Sequence, residues 1–282
     1  MGVLTFFAKR FIAGETKQQA VEAVKALNGM GMKTTLDILG ENVSSEKMAS
    51  DLAERYIEIL ETIDSMKITA NVSLKLTQMG MDISDDFCYE NVGRIIETAK
   101  QRGNFVRIDM EGSDYTERTL NLVYRWAEKH DNVGTVIQSM LLRSEDDIKE
   151  LNRRGIGVRL CKGAYKEPAS VAFQKKDDVN ANFIKLTALL LDSGVFHSIA
   201  THDNDMIEAV KKYATLKNIG KDKFEFQMLY GINRVGQKKL VSEGYGMLVY
   251  VPFGTHWFPY FYRRLRERKE NVFFVLKHFL DS

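Results

Sequence analysis

The chain has 282 residues, 44% hydrophobic and 28% charged, so it can bury a full core as one large domain or two ordinary ones. A net charge of +2 leaves no nucleic-acid footprint, and two cysteines (Cys88, Cys161) without a Cys-x-x-Cys exclude a disulfide framework and point to a reducing cytosol. The five histidines form neither His-x-x-x-His nor His-Glu-x-x-His, so no dedicated metal site is expected. No run approaches the roughly 18 apolar residues of a membrane span. The opening MGVLTFFAKRFIAGE carries Lys9 and Arg10 among its apolar residues and does not read as a signal peptide, while peripheral membrane contact stays open.

Thr16 with Gln19 reads as a capping box that opens a helix to about Leu27, and Gly29 and Gly31 end it. A regular alternation follows. Strands are expected at 33–41, 68–78, 104–112, 132–140, 155–163, 195–202, 224–231 and 246–254. Helices are expected between them at 45–64, 85–101, 115–129, 144–153, 177–192, 204–216 and 234–243. The first of these is expected to bury Met48, Leu52, Tyr56, Ile57 and Leu60. A helix after the last strand and an apolar helix around 271–280 close the chain. Eight strands, each followed by a helix, fit a (β/α)8 barrel of the TIM type, with 1–32 as an N-terminal helical segment and 33–282 as the barrel. A doubly wound open sheet is the alternative, but LGENVSS stands where its G-x-G-x-x-G turn belongs.

Barrel strands alternate between lumen and helix layer. One face carries Ser73, Lys75 and Thr77, then Arg107, Asp109 and Glu111, then Gln138, then Arg159 and Cys161. Ser198, Ala200 and His202 share a phase, as do Glu225, Gln227 and Leu229, and Tyr250 opposes Val249 and Val251. Nearly every strand thus aims a polar group to one side, near the end where barrel enzymes keep their sites. The row reads either as a functional site or as a structural ion network filling the barrel.

The stretch LVYVPFGTHWFPYFYRRLRE (248–267) adds a helix on which Tyr260, Arg263, Arg264 and Glu267 share a face. Paired guanidiniums suit a carboxylate, and a solvated basic helix is the competing reading. Lys75 or Lys162 on a barrel strand invites a Schiff-base lyase or aldolase. The KGAY turn (162–165), completed by Thr201 and His202, could instead hold a phosphate.

VSLKLTQMG, RIDMEGS, RLCKGAYKEP, ATHDNDMI, FEFQMLYGI and VYVPFG…YFYRRLRE occur in this order, and together they resemble the flavin-dependent proline dehydrogenases, including the dehydrogenase domain of bifunctional proline-utilisation enzymes. The resemblance runs from about FIAGET to RRLRE, without an aldehyde dehydrogenase module, and so suggests the monofunctional form. It implies a distorted (β/α)8 barrel that binds FAD at the C-terminal ends of its strands, with the last barrel helix over the mouth. It further implies oxidation of L-proline to Δ1-pyrroline-5-carboxylate, by hydride transfer from ring C5 to flavin N5, with electrons passed on to a membrane quinone. A cytoplasmic enzyme, peripheral on the inner face of the membrane and acting beside a pyrroline-5-carboxylate dehydrogenase, would fit that role.

By the same resemblance, Asp109 and Arg159 would be catalytic. Lys75, Tyr165, Leu229, Tyr250, Tyr260, Arg263, Arg264 and Glu267 would bind substrate. Met110, Gln138, Arg159, Lys162, Gly163, Ala164, Thr201 and His202 would hold the flavin. Two departures stand out. Lys166-Glu167-Pro168 follows KGAY where many relatives have an aromatic or small residue, and the link from Gly254 to Tyr260 is about two residues shorter than in bifunctional members. Relatives acting on hydroxyproline tend to carry a smaller residue at the place of Tyr250, so Tyr250 favours proline.

Overall fold

The computed structural model describes residues 11–40 and 43–267, the segment 263–267 by backbone alone. Eight parallel strands close into a barrel in chain order. They are β1 (Lys33–Ile38), β2 (Ala70–Leu74), β3 (Val106–Ile108), β4 (Val133–Gln138), β5 (Val158–Cys161), β6 (His197–Ala200), β7 (Phe224–Leu229) and β8 (Gly246–Phe253), with β8 pairing back onto β1. Helix α1 (Lys17–Asn28) precedes the barrel. Between strands run α2 (Glu46–Ser65), α3 (Asp85–Gln101), α4 (Ser113–Ala127), α5 (Ser144–Arg153), α6 (Lys176–Leu191), α7 (Asn204–Leu216) and α8 (Arg234–Ser242), and α9 (Phe258–Glu267) follows β8. The (β/α)8 expectation is therefore met, and the open sheet is not.

The core lies between strands and helices. Val72, Leu74, Val106, Ile108, Val158, Leu160, Phe226 and Val249 point outward into it and are fully buried. Each such side chain contributes about 1.5–3 kcal/mol relative to exposure. The helices answer with stripes at helical spacing. In α2 the stripe is Ala49, Leu52, Ala53, Tyr56, Ile59, Leu60 and Ile63. This corrects the expected face, since Met48 is 55% exposed. At that end the helix abuts the backbone of Gly80, where the small Ala49 fits.

The strands are shorter than their alternating patterns. β2 stops at Leu74, and Leu76–Met79 is a 3₁₀ turn; β3 stops at Ile108. Side chains keep their period of two for a few residues after the backbone has left the ladder. Lys75, Thr77, Asp109, Met110, Glu111, Lys162, Thr201 and His202 consequently stand on rim loops just beyond strand ends.

Two features place the last helix. First, α1, opened by the Thr16–Gln19 capping box, packs on β1 and β8, the outer slot that closes the barrel. Second, residues 11–14 are tied to the end of β8: Ala13 N–H donates to Pro252 O (2.9 Å), and Gly254 N–H donates to Gly14 O (3.0 Å). With that slot filled, Tyr260 and Phe261 of α9 pack on Leu39, Tyr250, Phe11 and Ile12 at the barrel mouth. The last helix lies over the mouth as expected. The apolar helix expected at 271–280 falls outside the described residues.

His197, buried on β6, shows how tightly the outer layer is specified. Its Nδ1 accepts from Val158 N–H (3.1 Å), and its Nε2 pairs with Ser193 Oγ (2.9 Å), whose own hydrogen goes to Leu190 O (2.7 Å). These bonds require the neutral ring with hydrogen on Nε2. Burial, then Arg107, pushes its pKa down to about 3 from 6.5. Because the folded value is depressed, this stability is complete above about pH 6.5 and is lost as pH falls toward about 3, by roughly 1.4 kcal/mol per pH unit. Urea unfolding across that window should show this slope, and His197→Gln should flatten it.

Candidate active site

Inside the barrel, polar side chains stack in layers. Near the N-terminal end of the strands, the Arg107 guanidinium donates to Thr135 O (3.1 Å) and Gly157 O (2.6 Å). A Cβ on Gly134 would come within 2.6 Å of that guanidinium and 2.4 Å of Gly157 O, so this strand position has no room for a side chain. Above it, Glu225 accepts from Ser198 Oγ (3.1 Å) and Gln227 Nε2 (2.8 Å).

The next layer holds Arg159. Its Nε donates to Gln227 Oε1 (2.5 Å), and its Nη1 donates to Asp109 Oδ1 (2.7 Å) and Ser73 Oγ (3.2 Å). Ser73 Oγ in turn donates to Asp109 Oδ1 (2.5 Å). Arg159 and Asp109 are 6% and 8% exposed, so each is the other's principal counter-charge. Burial alone would raise the Asp109 carboxyl, but Arg159 and Lys75 more than offset it and hold it below its ordinary value. The guanidinium also lies 5.3 Å from the centre of the Tyr250 ring.

At the top, Lys75 Nζ lies 3.1 Å from Asp37 Oδ2, 3.6 Å from Asp109 Oδ2 and 3.4 Å from Tyr250 Oη. Asp37 is a residue that sequence reading missed. It is fully buried at the end of β1, 2.6 Å from Tyr250 Oη. The signal was available, since Lys33, Thr35 and Asp37 alternate with Thr34, Leu36 and Ile38 just as the other polar faces do. Lys75, Asp109, Arg159 and Tyr250 thus join one network, and Leu229, Tyr250 and Tyr260 share one apolar cluster beneath α9.

The rim loops carry the remaining expected residues. Met110 is buried in the main core, and Gln138 Nε2 donates to Glu111 O (2.8 Å), while the Glu111 carboxylate receives Thr77 N–H (3.1 Å) and Oγ1 (2.7 Å). Lys162 Nζ pairs with Asp203 Oδ2 (2.8 Å), joining the loops after β5 and β6. Gly163 has φ +110, and a Cβ there would lie 2.3 Å from Met140 Sδ. Ala164 is exposed and Thr201 buried, and His202 Nε2 accepts from Leu229 N–H (2.8 Å). Tyr165 packs with Met140, Leu141 and Ala172, a cluster separate from that of Tyr250 and Tyr260. Glu167, one of the departures, accepts from Ser113 N–H (2.8 Å) and Ser113 Oγ at the start of α4, whose N-cap Gly112 has no side chain to offer. Arg263, Arg264 and Glu267 lie on α9, with side chains outside the described residues. Among the described residues, no group of three or more His, Cys, Asp or Glu could hold a metal ion. No described helix is long and apolar enough to cross a membrane.

A family model described as proline dehydrogenase matches residues 20–277, which include all eight strands. The chain belongs to the proline dehydrogenase family. It is 43% identical to proline dehydrogenase 1 of Bacillus subtilis over 98% of this chain and 91% of that protein. To the proline dehydrogenase of Deinococcus radiodurans it is 40% identical, over 98% of this chain and 90% of that one. Among solved structures, proline utilization A of Bdellovibrio bacteriovorus, inactivated by N-propargylglycine, superposes with a TM-score of 0.87 at 27% identity. That match covers 93% of this chain but 32% of the larger protein.

Within this proline dehydrogenase barrel, the Arg159–Asp109 pair has a measurable consequence. Asp109→Ala leaves a buried guanidinium without its carboxylate and should destabilise the fold by roughly 3–5 kcal/mol in urea titrations. Adding Arg159→Met should recover part of that loss.

Proposed function

We propose that this chain oxidises L-proline to Δ1-pyrroline-5-carboxylate, the first step of proline catabolism, with FAD bound at the C-terminal mouth of the barrel. A flavin held there would supply the hydride acceptor for proline C5. The observation that carries this reading is the Lys75–Asp109–Arg159–Tyr250 network under an aromatic helix, in a chain with proline dehydrogenases as relatives.

The rim fits a dinucleotide. The N–H groups of Gly163 and Ala164 make no hydrogen bond among the described residues, and they stand beside Lys162 in a turn that requires glycine. Such a nest of donors suits a pyrophosphate. In our assignment Lys162, Gly163, Ala164, Thr201 and His202 hold the ribityl and pyrophosphate, and Met110 and Gln138 meet the isoalloxazine. Arg159 would stand near its reactive edge, where a fixed cation would favour an electron-rich ring.

We assign the substrate to the space between network and helix. Lys75, with Arg263 and Arg264, takes the carboxylate, and Glu267 steadies the arginines. Leu229, Tyr250 and Tyr260 pack the ring, with Tyr165 at the entrance. The amine must be neutral before C5 can give up a hydride, and a dry pocket beside the Lys75 and Arg159 cations favours loss of its proton. The Schiff-base lyase reading of Lys75 is not favoured, because this amine contacts two carboxylates and a phenol, and the relatives are proline dehydrogenases. For partners we propose a membrane quinone as electron acceptor and a pyrroline-5-carboxylate dehydrogenase as consumer of the product. We place the protein in the cytoplasm, touching the inner face of the membrane peripherally.

Purified protein should be yellow with a flavin spectrum that L-proline bleaches in the absence of oxygen. Colourless protein trapped by borohydride with a carbonyl substrate would overturn the assignment. Tyr250→Ser removes ring packing and opens space. It should lower kcat/KM for proline by roughly 10–200-fold and shift preference toward hydroxyproline. An unchanged ratio of the two substrates would count against the packing role.

A further inference from the structure

The Tyr250 hydroxyl has one hydrogen and two carboxylate neighbours. Its oxygen lies 2.6 Å from Asp37 Oδ2 and 2.9 Å from Asp109 Oδ2. Both are hydrogen-bond distances, and ionised carboxylates only accept. With both ionised, that single hydrogen is shared and one oxygen pair faces lone pair to lone pair in a buried site. One further proton resolves the conflict.

The surroundings decide which carboxyl carries it. Asp109 already receives Arg159 Nη1 (2.7 Å) and Ser73 Oγ (2.5 Å) on Oδ1, donors that favour its ionised form. Asp37 is fully buried. From α2 it meets the Tyr56 hydroxyl at 3.3 Å, a group whose one hydrogen has Ser73 O as the nearer acceptor (3.0 Å). From the rim it meets Lys75 at 3.1 Å, a cation that also lies 3.6 Å from Asp109. Tyr250 comes from β8, and Arg159 directs its hydrogen bonds to Asp109, Ser73 and Gln227. Burial raises Asp37 above the ordinary aspartate range despite Lys75, with Asp109 adding to the rise.

We propose that Asp37 is protonated in the folded protein, donates its hydrogen to Tyr250 Oη, and so leaves the cluster of Lys75, Asp109 and Arg159 with a net positive charge toward a substrate carboxylate. The hydrogen bonds then run in one direction, from Asp37 to Tyr250 to the Asp109 carboxylate. Among the described side chains around Tyr250 Oη, Lys75 and Arg159 are the cations and Asp109 the anion. Were Asp37 ionised as well, one negative charge more would face the substrate carboxylate, and the cluster would attract it less. Asp37 is therefore a positioning residue, and this role rests on the substrate pocket proposed above.

The test begins on the wild-type holoenzyme. Infrared spectra at neutral pH, compared between protein with ordinary and with ¹³C-labelled aspartate, should show the C=O stretch of a protonated aspartic acid, and Asp37→Asn should lack it. Absence of that band from the wild type overturns the proposal without recourse to any variant. The charge-setting role is read separately, by calorimetric titration with cyclopentanecarboxylate, which has the ring and the carboxylate but no amine. Asn replaces one neutral group with another, so Asp37→Asn should bind it within about threefold of wild type. Binding tightened by about tenfold or more would mean an ionised Asp37 and would overturn the proposal, and a comparable loss would overturn the charge-setting role. If cyclopentanecarboxylate fails to bind wild type while the band is present, the pocket assignment is what fails, and the charge-setting role falls with it.

Discussion

A buried guanidinium needs a carboxylate, and the contact between Arg159 and Asp109 inside the barrel is the constraint on which the rest of this structure depends. Both groups have left water, and each would be strongly unfavourable alone. Ser73 and Gln227 occupy further hydrogen-bonding positions on the pair, and Glu225 accepts from Gln227 and from Ser198 in turn. The chain therefore runs polar side chains inward from successive strands while the opposite faces stay apolar. A half-satisfied network would be worse than an apolar core, which is why the layers are continuous from Glu225 up to Lys75.

Such a network also makes demands on its cover. Charges near the strand ends act strongly on a ligand only if water is kept out. The cover comes from an exchange of positions. Helix α1 takes the outer slot between β8 and β1, and residues 11–14 bond to the end of β8. The helix that follows β8 is left to lie over the mouth with Tyr260 and Phe261 turned onto Tyr250 and Leu39. The N-terminal segment and the last described helix are in this way two parts of one arrangement, although they are far apart in sequence.

Much of the site was legible before any coordinates. Ser73, Lys75, Asp109, Arg159, Gln227 and Tyr250 were picked out by alternation alone, because a side-chain period of two survives in the sequence wherever one face is buried. Asp37 carries the same signal, but an acid in KTTLDILGE is unremarkable until its partners are known. Strand lengths were overestimated for the opposite reason: the pattern persists into rim loops that no neighbouring strand holds. Tyr165 and Glu167 were read by their place in a motif, whereas their packing depends on Met140 and Ser113, which that motif does not contain.

What the sequence by itself determined was local and periodic: eight strand and helix units, the capping box at Thr16, and a polar face on most of the strands. It also carried a series of motifs specific enough to point to the proline dehydrogenases. Only the tertiary structure decided which polar groups meet. Tyr250 and Asp37 stand 213 positions apart and come within 2.6 Å because β8 closes onto β1, a pairing that no local pattern encodes. The placement of α9 over the mouth was decided in the same way, by which helix filled the closing slot. Periodicity tells a side chain which face it occupies, but its partner is set by closure of the whole barrel.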